Sequence, residues 1–115
     1  MKIRTSELIG DALDHVVLQL DGENPSCGFY STDWADGGPI IEREGIAIDC
    51  VRRDWSIESW CAALIHEDVE FDGVTRAEKN GPTPLVAAMR CYVASKLGDE
   101  VEVPDELIKK VGSNA

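Results

Sequence analysis

Residues 81–107 read GPTPLVAAMRCYVASKLGDEVEVPDEL, and the part up to Gly98 decides the fold. Thr83 suits the N-cap of a helix, and Pro84 suits its first position, where a missing N–H leaves no bond unmade. Leu85, Met89, Tyr92, Val93 and Leu97 then recur at helical spacing, which predicts one buried face, with Ala88 permitting close approach. Gly98 ends the helix. EVEVP reads as extended chain, and Asp105 is placed to cap a last short helix, DELIKKVG. Folding accounts for every residue here, so the stretch predicts scaffold.

A partner for this helix lies near the other end of the chain. In TSELIGDALDHVVLQLDG (5–22), Leu8, Ile9, Ala12, Leu13, Val16 and Leu20 fall on one helical stripe. Thr5 or Ser6 is placed to cap it, Glu7 suits the first turn and Gly22 follows its end. Asp11 and Asp14 are expected on the solvent side, with His15 near them.

Between the two helices the signals change. ENPSCGFYSTDWADGGPI (23–40) is rich in Gly, Pro, Ser and Asp and reads as a long loop, with DGGP as a turn. A loop of that length is either functional or pinned, and Phe29, Tyr30 and Trp34 could pin it by folding over the core. After Pro39, IIERE predicts a turn of helix. GIAIDC (45–50) alternates and predicts a short strand. WSIESWCAALI (55–65) fits helix or strand; Trp60, Ala62 and Leu64 on one face favour a strand over about 58–65. Val69 and Phe71 alternate in HEDVEFDGVTRAEKNG (66–81), with turn signals at Asp72-Gly73 and Asn80-Gly81. The simplest assembly is α+β: an antiparallel meander of about three strands packed against an N-terminal and a C-terminal amphipathic helix.

At 115 residues the chain predicts a single globular domain, residues 1–115, because two separate cores would each be too small. No apolar run approaches the ~20 residues a membrane span needs, and MKIRTSEL lacks the apolar stretch of a signal peptide, so a cytoplasmic protein is expected. The formal net charge is −11, of which residues 21–80 carry −9 through 14 acidic and five basic side chains. A field of that sign repels phosphate backbones, and the adjacent Arg52 and Arg53 are too few for a nucleic-acid footprint. Acidity of this kind keeps a small protein dispersed; it also suits docking on a basic partner or mimicry of a nucleic acid. Cys27, Cys50, Cys61 and Cys91 are widely spaced, with no C-x-x-C pair, and read as free, small apolar groups.

Chemistry is hard to find. In DVEFDG, Asp68, Glu70, Asp72 and Gly73 match the opening of a calcium loop, but Lys79 occupies the position of the closing bidentate Glu, with Glu78 one residue early. On a strand the same three acids simply share a solvent face. His66 and Glu67 could exchange protons, yet no nucleophile or ligand cluster accompanies them. Neither G-x-S-x-G nor a phosphate-binding glycine loop is present. No catalytic residue, metal or cofactor is expected. Trp34, between Asp33 and Asp36, is ordinarily a lid over the core. If the chain has an interaction surface, Asp33, Trp34, Asp36 and Glu42 are its candidate residues.

STDWADGGPIIERE, a tryptophan strand and the stretch from 81 to 107 together resemble the NinX-like proteins, small phage and prophage proteins of unknown function. KIRTSELIGDALDHVV fits the N-terminus of that family as well. The resemblance implies a phage-encoded accessory protein acting in a bacterial host, and it brings no catalytic residues. Non-enzymatic binding of a host or phage protein is the expectation. One alternative is a small hydrolase using carboxylates or a metal, with Asp49, Glu67, Asp68, Glu70 and Asp72 in a pocket; another is an acidic nucleic-acid mimic.

Overall fold

A computed structural model of the chain describes residues 2–21, 29–68 and 73–106. The element order is β1 (Lys2–Arg4), a short 3-10 turn (Thr5–Glu7), α1 (Gly10–Asp21), α2 (Trp34–Glu44), β2 (Ala47–Arg53), β3 (Ser56–Asp68), β4 (Gly73–Gly81), α3 (Pro84–Leu97) and β5 (Glu100–Glu102). Strands β2, β3 and β4 form the antiparallel meander, and the fold is α+β as the patterning implies. Ile48 faces Ala62, Cys50 faces Trp60, and Leu64 faces Ala77 across the ladders. Trp60, Ala62 and Leu64 therefore line the face turned to the helices, and the segment that could have been a helix is a strand longer than 58–65.

Helix α3 lies against all three strands of the meander and is also in contact with α1 and α2. Thr83 caps it by accepting from the Val86 N–H at 3.1 Å, Pro84 opens it, and the Gly98 N–H closes it on the Ala94 carbonyl. The expected single stripe was too narrow, however. Leu85, Val86, Ala87, Ala88, Met89, Cys91, Tyr92 and Val93 are all buried, because sheet and helices surround the helix on several sides. Leu97 is half exposed instead of buried, since the last turn runs out beyond its neighbours. Arg90 is the exception within the buried run. Its guanidinium donates to the carbonyls of Leu8 at 2.7 Å and Asn80 at 2.8 Å, stitching α3 to the N-terminal segment and to β4.

The first helix starts later than its stripe suggests. Thr5 is no cap: it is buried, its hydroxyl donating to the Gly98 carbonyl and its N–H to the Asp99 carbonyl, both at 2.7 Å. Gly10, at φ +58°, turns the chain in the left-handed region, which favours glycine, and α1 follows. Leu8, Ala12, Leu13, Val16 and Val17 are buried with α3 in one apolar cluster. Ahead of the turn, β1 pairs antiparallel with β5, setting Lys2 opposite Glu102 and Arg4 opposite Glu100. EVEVP is thus extended as expected, whereas its partner strand carries no periodic signal. Asp105 and Glu106 are already helical, so Asp105 is not the cap; residues 107–112 of the expected last helix lie outside the described residues.

The largest departure is α2. The stretch expected as loop and turn is an 11-residue helix running through Asp36-Gly37-Gly38-Pro39. Asp33 caps it, its Oδ1 accepting from the Ala35 N–H at 2.9 Å, and Gly45 ends it at φ +69°. Pro39 forgoes one helical bond, but Ile40 is buried and Gly37 fits where no side chain could. A Cβ on Gly37 would lie 2.5 Å from the Tyr30 carbonyl oxygen and 2.7 Å from Leu85 Cδ2. The glycine that suggests a turn is a packing residue.

Candidate interaction surface

The segment leading into α2 is pinned from beneath. Tyr30 is buried, the Ser31 N–H donates to Asp14 Oδ1 at 2.8 Å, and the Asp33 N–H donates to the Phe29 carbonyl at 2.8 Å. The Phe29 N–H donates to Asp36 Oδ2 at 3.3 Å. Of the three aromatic residues expected to fold over the core, only Tyr30 does. Phe29 is 62% exposed and Trp34 is 54% exposed. Trp34 therefore stands on the first turn of a capped helix, displayed to solvent rather than lying as a lid.

Asp33, Trp34 and Asp36 come together at this end of α2. Glu42, also exposed, lies about 12 Å further along the helix axis and joins no cluster with them. At the far end, Glu44 pairs with Lys96 at 3.2 Å, and Arg43 donates to the Tyr92 hydroxyl at 3.3 Å while lying over its ring. The helix is thereby held at both ends.

Asp14 was expected on the solvent side of α1, yet it is buried beneath this segment. Burial pushes its carboxyl above the ordinary carboxylate range, against the lowering effect of its bonds to Ser31. The folded state then holds this proton more tightly than the unfolded chain does. The contribution of Asp14 to stability is present at low pH and is lost as pH rises through the folded value. Asp14→Asn keeps an oxygen for the Ser31 N–H and removes the charge, so it should match or exceed the parent at about pH 7 and lose that advantage as pH falls to the ordinary carboxylate value, about pH 4. Asp14→Ala strands the N–H and should cost about 1–3 kcal/mol. Urea midpoints at both pH values check this; a parent-to-Asn difference independent of pH would contradict it.

On the opposite face of the meander, Ala47, Ile48, Asp49, Cys61, Ala63 and Glu78 line an open hollow of about 390 Å³. Of the five carboxylates that a hydrolase pocket would gather, only Asp49 lies there; Asp68 and Glu67 have no described side chains, and Glu70 and Asp72 lie outside the described residues, as does the centre of the calcium-like loop. Among the described residues no three His, Cys, Asp or Glu side chains converge as a metal site requires. Cys50, Cys61 and Cys91 are free thiols, and burial pushes Cys91 up to about 11. Cys27 lies outside the described residues. No described helix is long and apolar enough to cross a membrane.

The molecule is, by fold, a small α+β protein in which α3 packs on a three-stranded meander and α1 and α2 pack against α3. The family described as Bacteriophage P22, NinX matches residues 21–96, and the chain belongs to that family. It is accordingly a phage-encoded protein. Among curated proteins none matches the chain.

Proposed function

We propose that this phage protein is a non-enzymatic accessory factor that works in the host cytoplasm by binding a host or phage protein through the N-terminal end of α2. The observation supporting this reading is the pair of exposed aromatic side chains, Phe29 and Trp34, on a segment fixed by buried Tyr30, Asp14 and the Asp33 cap. Holding an aromatic anchor rigid before binding reduces the ordering cost of association, and tryptophan is enriched among the residues that carry binding energy at protein interfaces. Asp33 and Asp36 flank it, so the complementary surface is an apolar pocket rimmed by Lys or Arg.

The test is retention of proteins from phage-infected host lysate on the immobilised chain, with Trp34→Ala alongside. A partner that binds the parent should be retained at least tenfold less by the variant. It should also dissociate more readily as salt is raised, because the flanking acids are solvent-exposed or nearly so. Equal retention of every bound protein by parent and variant would refute the assignment.

A further inference from the structure

The β2–β3 hairpin carries two features that packing does not explain. Its two-residue turn, Asp54-Trp55, has both residues in the left-handed region, at φ +50° and +72°. That is the geometry a tight hairpin needs, but Asn and Gly ordinarily supply it, and a bulky side chain there is strained. Trp55 is moreover 98% exposed. Strain held at an exposed aromatic residue points to a role outside the fold of one copy. The second feature is β2 itself. Among the described residues it pairs with β3 alone and forms one edge of the sheet.

We propose that β2 pairs antiparallel with β2 of a second copy of this chain, about a two-fold axis at Val51. The edge is self-complementary. In that register Asp49 of each copy faces Arg53 of the other, on the same side of the joined sheet, and the dyad makes the pair twice. Shifting the axis by one residue toward either end sets Asp49 opposite Val51 or Trp55 and loses both pairs. Like charges would protect an edge from such pairing; here the charges along the edge attract in one register. The partners are available. Arg53 approaches Glu58 only loosely, at 4.0 Å with both side chains largely exposed, and the Asp49 carboxylate accepts from the neighbouring Cys50 N–H.

The same register brings the Trp55 turn of one copy alongside Ala47 of the other. Ala47 borders the open hollow, whose lining includes the small side chains Ala63 and Cys61 and the carboxylates Asp49 and Glu78. A large exposed indole and a guanidinium thus meet a shallow, small-lined, acidic depression. This surface lies apart from the Trp34 end of α2, so the two assignments stand or fall separately.

The test is analytical ultracentrifugation of the full chain at concentrations up to the order of 100 µM, near physiological ionic strength. A dimer is expected. Asp49→Arg and Arg53→Glu should each weaken it roughly tenfold by setting like charges opposite twice, and the double variant, with the charges exchanged, should restore it. Trp55→Gly should weaken the dimer while raising the urea midpoint of the monomer, because glycine relieves the strained turn. A monomer throughout, single reversals without effect, or a double variant no better than either single one would each overturn the proposal.

Discussion

Met89→Ala is expected to lower the stability of the protein by about 2–5 kcal/mol, the range for emptying a fully buried long apolar site. Met89 is completely buried on α3, within the apolar cluster that also holds Leu13, Val16, Tyr30 and Leu64. Elements from both ends of the chain and from the sheet meet in that cluster. Met89 is surrounded by buried residues, so much of the volume lost is expected to stay empty. A domain of this size has a total stability on the order of 5–15 kcal/mol, so the variant should unfold at a markedly lower urea concentration. Met89→Leu, which nearly conserves volume, should cost less than about 1.5 kcal/mol. Urea denaturation followed by circular dichroism measures both. A loss below about 1 kcal/mol for the alanine variant would mean that α3 is not the centre of the core.

Gly81→Ala is expected to cost about 3 kcal/mol or more, a large penalty for a single methyl group. Gly81 ends β4 opposite Trp60, where the sheet passes beneath the first turn of α3. An added Cβ would lie 2.7 Å from the Ala87 nitrogen, 3.0 Å from Val86 Cγ1 and 3.1 Å from Ala87 Cα. Two of these atoms are backbone and cannot swing aside, so α3 must lift from the sheet or the strand must bend. Lifting the helix would also strain the Arg90 bond to the Asn80 carbonyl, one residue away. Gly81 has no positive φ, so the penalty is steric rather than conformational. Thermal unfolding should show the variant melting well below the parent; an unchanged melting temperature would show that the helix–sheet contact has slack.

Helix α3 and the meander were legible because local signals agree with the fold. Thr83, Pro84 and Gly98 act at the ends of α3 as their chemistry suggests, and the alternation of Trp60, Ala62 and Leu64 matches the buried face of β3. Helix α2 was hidden because Gly37, Gly38 and Pro39 speak for a turn while the burial of Gly37 against Tyr30 and Leu85 is a tertiary fact. The start of α1 was misplaced for a related reason. Thr5 has the chemistry of a cap, but a residue 93 positions away in sequence claims its hydroxyl. Asp14 looked like a surface acid by helical spacing until Ser31 folded over it. At the candidate interaction surface, Asp33, Trp34 and Asp36 could be named from the sequence, but their grouping apart from Glu42 follows only from the helix. Trp55 carried no readable signal, since nothing local in Arg-Asp-Trp-Ser announces a left-handed turn.

Trp34 is expected to serve binding and not the core. Urea unfolding of Trp34→Ala tests it most directly. A side chain displayed on a capped helix should leave stability within about 0.5 kcal/mol of the parent. A loss of about 3 kcal/mol or more, the signature of a tryptophan removed from a packed interior, would make it the lid that its sequence context suggests and would contradict the account.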